Sequence, residues 1–229
     1  MKKLLFTLLF LTLGTAWGGA YEDGLTAYNR NDFATTIKLW RPLAEKGDAF
    51  MQTLVGSMYG AGKGVTQDYK EAVKWTRLAA EQGYALAQYN LGHMYSNGKG
   101  VIQDYKEALK WYRLAADQGF AFAQNNLGLM YGEGHGVLHD YKEAAKWYRL
   151  AAEQGNVSAQ YNLGVEYIRG PEIIHNYIRA YMWLSLASAK GNADATKKRD
   201  QVAKKMTPNQ IEKAQEMAKA CQASNFKGC

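Results

Sequence analysis

The chain has 229 residues, 47% of them hydrophobic and 21% charged, with a formal net charge of +7. Lys2 and Lys3 supply two of those charges, and residues 190–229, with nine Lys or Arg against four Asp or Glu, supply five more. The middle of the chain is therefore near neutral, which argues against a basic nucleic-acid-binding face, and two cysteines without a C-x-x-C spacing exclude a redox dithiol motif.

The first twenty residues read as a cleaved secretory signal. Lys2 and Lys3 precede the apolar run Leu4 to Leu13, and small residues stand at Gly18 and Ala20. The run is too short to cross a bilayer, so no membrane span is expected. No cysteine lies near the cleavage region to carry a lipid. The mature chain is expected in the periplasm or outside the cell.

The rest of the chain is periodic. DYKEAVKWTRLAAEQG begins at Asp68, DYKEALKWYRLAADQG at Asp104 and DYKEAAKWYRLAAEQG at Asp140, a spacing of 36 residues each time. Worn copies begin at Asp32 and Asn176. A fixed period of this length defines a repeat array. Residues 21–47 are expected to hold only the second helix of a unit and to act as an N-terminal cap. There Leu39 replaces the tryptophan and Pro42 the leucine, and an end unit with one face in water is expected to be atypical.

Four complete units follow over 48–191. In each second helix an Asp precedes a Glu by three residues, the signature of a capping box. Tyr105, Ala108, Leu109, Tyr112, Ala115 and Ala116 then share one helical face, with Trp111 and Leu114 as a second apolar stripe. A helix apolar on two sides has two neighbours. Gly83, Gly119 and Gly155 stand where such helices end.

The first helix of each unit reads like ALAQYNLGHMYSNGKG from Ala85 to Gly100. Gly56, Gly92, Gly128 and Gly164 recur in its middle, where glycine costs up to about 1 kcal/mol and so implies close helix approach. Tyr59, Tyr95, Tyr131 and Tyr167 are expected in the core. Paired glycines follow at 62 and 64, 98 and 100, and 134 and 136, without the strand context of a phosphate loop. The fourth unit replaces them with Gly170-Pro171-Glu172, a stiffer turn. Linkers as short as Gln118-Gly119-Phe120 force consecutive helices to run antiparallel.

Residues 192–229 are expected to close the array with helices near 193–205 and 208–220. Thr207 is the N-cap of the second and Pro208 its first helical residue. Cys221 and Cys229 are expected to pair in an oxidising compartment and to hold the tail locally.

AQYNLGHMYSNGKGV followed by DYKEALKWYRLAADQG resembles the Sel-1-like repeat family, a relative of the tetratricopeptide repeat. The resemblance covers 48–191 strongly and 32–47 weakly. It implies an all-α fold, a right-handed α-solenoid of antiparallel helix pairs with capping helices. It also implies a non-catalytic adaptor or scaffold that binds other proteins, often in bacterial envelopes. In the related tetratricopeptide units the first helix lines a concave groove. Carried over by the Leu-Gly and Tyr positions, that makes Phe50, Leu86, Tyr89, His93, Phe122, Asn125, Leu129, Tyr161, Val165 and Arg169 the candidate partner-binding residues. Thr53, Ser57, Ser96, Asn97, Glu133 and Ser158 fall at the same offsets. Tyr89, Phe122 and Tyr161 are the favoured anchors, because aromatic side chains dominate interfaces.

Chemical motifs are sparse. His135 and His139 are four apart in a turn with no third ligand, so no metal site and no cofactor are expected. Ser96-Asn97-Gly98-Lys99 matches S-x-x-K but lacks the companion motifs of penicillin-recognising enzymes. A β-lactamase-like or cell-wall hydrolase is the alternative function, suggested by secreted cysteine-rich Sel-1-like proteins. Those carry a cysteine pair in each repeat, which this chain lacks. The expected state is a monomer with a protein partner.

Overall fold

The computed structural model describes residues 18–169 and 176–229. The expected signal peptide lies almost wholly outside them, as does the Gly170-Pro171-Glu172 turn. All regular structure among the described residues is helical. Helix α1 covers residues 18–29, and α2 Phe33–Glu45, α3 Ala49–Ala61, α4 Tyr69–Glu81 and α5 Ala85–Asn97 follow. Then come α6 Tyr105–Asp117, α7 Ala121–Glu133, α8 Tyr141–Ala152, α9 Val157–Arg169, α10 Tyr177–Ala189, α11 Ala193–Ala203 and α12 Pro208–Ala223. The chain forms two compact units, one through Gln103 and one from Asp104 onward.

Local chemistry sets each second helix. The Asp68, Asp104 and Asp140 carboxylates accept from the amides two and three residues on, which satisfies orphan donors of the first turn. The reciprocal half of the expected box is absent: Glu71 and Glu143 turn outward to Lys74 and Lys146, each at 3.1 Å. The full box appears at Thr207, whose amide also donates to Gln210 Oε1 at 2.9 Å.

In the first unit, residues 21–47 hold a helix pair rather than a single helix. Tyr21 and Tyr28 of α1 stack on Trp40 of α2 at 6.2 and 5.8 Å. Gly24 lies so close to Trp40 that a Cβ there would stand 2.2 Å from Nε1. The 36-residue period misses α1 because only residues 30–32 join it to α2. In the next three hairpins, from α3 to α8, the first and second helices are joined by a longer glycine turn.

The mid-helix glycines are contact points, as expected. A Cβ at Gly56 would stand 2.8 Å from Thr76 Oγ1, and one at Gly128 2.6 Å from the Tyr148 ring. One at Gly164 would stand 2.7 Å from Leu184 Cγ. The second stripe is only half buried: Trp75, Trp111 and Trp147 are covered, whereas Leu78, Leu114 and Leu150 are about 40% exposed. Tyr59, Tyr95 and Tyr131 are likewise half-buried, and Tyr167 is covered. Arg77, Arg113 and Arg149 donate to the hydroxyls of Tyr95, Tyr131 and Tyr167, buried or not.

The glycine turn has a further role. The first glycine of each pair ends its helix in the left-handed region. The second packs against the start of the preceding hairpin's second helix: a Cβ at Gly100 would stand 2.2 Å from the Tyr69 carbonyl oxygen. The residue between the glycines covers the aromatic ring at that same helix start. Lys63 Nζ lies 4.8 Å from the Phe33 centroid, Lys99 Nζ 6.0 Å from Tyr69, and His135 stacks on Tyr105 at 4.6 Å.

In the second unit α10 runs through the core with Trp183, Leu184 and Leu186 almost inaccessible, and α11 and α12 both pack on it. Cys221 and Cys229 form a disulfide. Within the ring it closes, Phe226 folds over Gly155, 3.6 Å from where a Cβ there would stand. Arg179 Nη1 donates to the Cys229 carbonyl at 3.3 Å.

Gly100→Ala tests the turn. At φ +74° against a backbone oxygen, a side chain is strained and unhoused. Urea unfolding is expected to show a loss of about 2 kcal/mol or more; an unchanged midpoint would refute the assigned contact.

Candidate functional site

The first helices α3 and α5 of the first unit, and α7 and α9 of the second, carry the residues singled out by sequence. Each is thirteen residues long and apolar on the side that meets its second helix, so the remaining face is what can meet another molecule.

In the first unit, Phe50 is 40% exposed, with its ring 6.5 Å from Tyr84 and 6.2 Å from Tyr21. Leu86 and Tyr89 are half-buried, and His93 is exposed with its ring 6.5 Å from that of Tyr89. Partial burial and then the Lys99 ammonium hold the His93 imidazole below its usual value, so it is neutral at pH 7. The Ser96 hydroxyl donates to the His93 carbonyl at 3.0 Å, while Lys99 lies over Tyr69. The S-x-x-K spacing therefore does not bring a hydroxyl and an amine together.

In the second unit, Phe122 is 60% exposed beside Phe120, Leu129 and Tyr161 are half-buried, and Arg169 is exposed. Asn125 and Val165 point inward, at 7% and 9% exposure. The burial of Asn125 exposes a feature that the sequence comparison passed over. Asn162 Nδ2 donates to Asn125 Oδ1 at 3.0 Å, and Asn125 Nδ2 donates to Asn126 Oδ1 at 3.3 Å. This chain of amides links α7 to α9. It leaves Asn126 Nδ2 as a donor and Asn162 Oδ1 as an acceptor, both on half-buried residues. Asn90, Asn126 and Asn162 recur at the 36-residue period, a signal present in the sequence.

A second overlooked residue is Glu166. Methionine stands at its position in the other units, as Met58, Met94 and Met130. Glu166 is 7% exposed, and its Oε2 is buried without a hydrogen-bond partner among the described residues. Burial raises its pKa above the usual carboxylate range, with Arg169 and His139 opposing. His135 and His139 are engaged separately. His135 stacks on Tyr105 and pairs with Glu133 at 3.2 Å, while His139 meets Tyr141 edge-on at 3.9 Å.

These features define a protein of tandem helical hairpins whose variable positions lie on the first helices. The Sel1 repeat model matches residues 49–84, 85–120, 121–156 and 157–192, and the chain belongs to the Sel1 repeat family. Comparison with curated proteins finds no match. Among solved structures, the chain is similar to a Sel1 repeat protein from Oxalobacter formigenes, with 34% identity, TM-score 0.71, and coverage of 76% of this chain and 72% of that one. It is also similar to a protective antigen of uropathogenic Escherichia coli strains displaying an SLR fold, at 27% identity and TM-score 0.51. That match covers 90% of this chain but only 62% of the antigen. An immunity protein from Pseudomonas aeruginosa shares the fold at 18% identity and TM-score 0.50, over 93% of this chain and 82% of that one. Sel1 repeat proteins are generally non-catalytic scaffolds for protein interaction. No helix among the described residues is long and apolar enough to cross a membrane.

Glu166→Met restores the side chain of the other units. A folded-state pKa above the unfolded value favours folding at low pH, and that contribution is lost as pH rises from the ordinary glutamate range through the raised value. The substitution is expected to add about 1–3 kcal/mol at pH 7 and little near pH 4. Thermal melts across that range check it; equal gains at both pH values would contradict the assignment.

Proposed function

We propose that the first-helix faces hold an extended segment of a partner protein in the bacterial periplasm or outside the cell, and that the protein works there as a monomeric, non-catalytic adaptor. The amide chain Asn162–Asn125–Asn126 carries this reading. It presents one donor and one acceptor, the pair that a peptide group in an extended chain leaves unsatisfied. A partner in helical form has already spent its backbone groups internally.

Phe122 and Tyr161 flank the amides on the same helices and supply apolar area for a partner's side chains. In the first unit Phe50, Leu86, Tyr89 and His93 offer a comparable mixed surface. The neutrality of His93 keeps that surface from repelling a basic segment. The disulfide at Cys221 and Cys229 and the signal-like N-terminus agree with an oxidising compartment.

Cross-linking in intact cells followed by pull-down tests the proposal, comparing the native chain with the triple variant Tyr89→Ala, Phe122→Ala and Tyr161→Ala. Partner recovery is expected to fall about tenfold or more, the cost of losing interface anchors. Unchanged recovery by a variant of unchanged melting temperature would count against these faces.

A further inference from the structure

We propose that the outer side of α11 docks the protein on an anionic phospholipid surface, through Lys197, Lys198, Lys204 and Lys205. The inference stands apart from the reading of the first-helix faces, because α11 carries none of their positions.

The surplus charge of the chain has a definite place. Residues 190–205 hold six Lys or Arg against two Asp, whereas α12 balances two Lys with two Glu. The basic character of the C-terminal cap is therefore a property of α11 and its ends. Only Ala195 and Val202 of that helix are buried. On the side away from them Lys197, Gln201 and Lys204 recur at helical spacing, with Lys198 beside them. Lys204 is the C-cap and keeps a right-handed helical backbone, and Lys205 follows it. Lys197, Lys204 and Lys205 are exposed, and Lys198 is half-buried.

The acids of α11 leave most of these cations unmatched. Asp194 reaches Lys197 at 3.7 Å with both side chains 76% exposed, so that pair is weak. Asp200 stands one turn before Lys204, the favoured order for a helical ion pair. It accepts instead from Arg199 Nη2 at 2.7 Å and Nε at 2.9 Å. Among the described residues no carboxylate pairs with Lys198, Lys204 or Lys205. Lys205 Nζ lies 5.8 Å from the Tyr177 centroid. A helix dipole favours cations in the last turn, which accounts for Lys204 and Lys205. It does not account for Lys197 and Lys198 at mid-helix. Like charges on one side repel, so folding alone does not select this pattern.

Lysine rather than arginine sets the kind of partner. Arg grips a single phosphate or carboxylate with two parallel bonds, whereas Lys is a hydrated point charge on a flexible stem. The one Arg of α11 is already engaged, by Asp200 and by the Ser188 hydroxyl at 3.3 Å. Four lysines on an open helix side suit a dense, laterally fluid layer of negative charge better than one shaped anion. No large apolar side chain is exposed in residues 190–229, so the contact stays at the headgroups without insertion. Each lysine near an anionic bilayer contributes about fivefold in partitioning.

The test uses the full chain as recovered from cells, in co-sedimentation with vesicles of one part phosphatidylglycerol to two parts phosphatidylcholine. Binding is expected at about 0.1 M salt and is expected to vanish at about 1 M, where charges are screened within a few ångström. That response needs no substitution. Lys198→Gln, Lys204→Gln and Lys205→Gln together should lower partitioning about a hundredfold. Lys213→Gln, Lys219→Gln and Lys227→Gln remove the same net charge elsewhere on the cap and should lower it less than about tenfold. Both triples should melt with the native chain. Equal losses in the two triples would overturn the assignment to α11. Equal binding to phosphatidylcholine alone would place the attraction in the apolar N-terminal run and overturn it as well. Capture of soluble polyglutamate without vesicle binding would make the partner an acidic protein and end the proposal.

Discussion

In every unit a buried glutamine of the first helix donates to the carbonyl near the end of the preceding second helix. Gln52 bonds Ala44 at 3.1 Å, Gln88 bonds Ala80 at 3.2 Å, Gln124 bonds Ala116 at 3.1 Å and Gln160 bonds Ala152 at 3.3 Å. The last carbonyls of a helix have no partner in its regular ladder; each of these four accepts from the amide of the glycine three residues on, at 2.9–3.0 Å, and the glutamine is a second donor. One side chain thus ties the end of one helix to the start of the next. Gln82 and Gln154 extend the link by donating back to Gln52 and Gln124 at 2.8 and 2.7 Å. The fourth unit has Lys190 at the corresponding place, and among the described residues Gln160 Oε1 has no donor.

With the hairpin register fixed by polar links and the helix spacing by glycine contacts, the first-helix face is free to vary. Leu86 can differ from Phe50 and Phe122, and Asn125 from Tyr89 and Tyr161, because none of them makes that link. The same freedom reaches inward at Glu166. Leu163 and Ala159 of the same helix remain fully buried despite this costly substitution. Stability is therefore shared among repeating contacts, and distinct chemistry sits where a unit departs from its siblings.

Much of this fold was legible in the sequence because repeats announce themselves. The period, the aspartate caps, the glycine turns and the cysteine pair are local patterns with local causes. Helix α1 was missed because its turn is shorter than the repeat allows. Asn125 and Val165 were assigned to the outer face by offset alone. The offset gives the helical angle but not the depth to which a neighbouring helix covers it. Glu107 was expected to bond back to its helix start; the structure places it 3.7 Å from Lys110. The buried glutamines were visible as a periodic letter, yet polar residues in such positions read as surface until a buried carbonyl is seen beside them.

The account rests on those glutamine links, and Gln124→Met tests them most directly by keeping the side-chain volume while removing the donor. Urea unfolding of the variant should show a loss of about 1 kcal/mol, because Ala116 keeps only its backbone donor and Gln154 only its longer bond to Leu150. Stability equal to that of the native chain would mean that apolar packing alone sets the register of the hairpins.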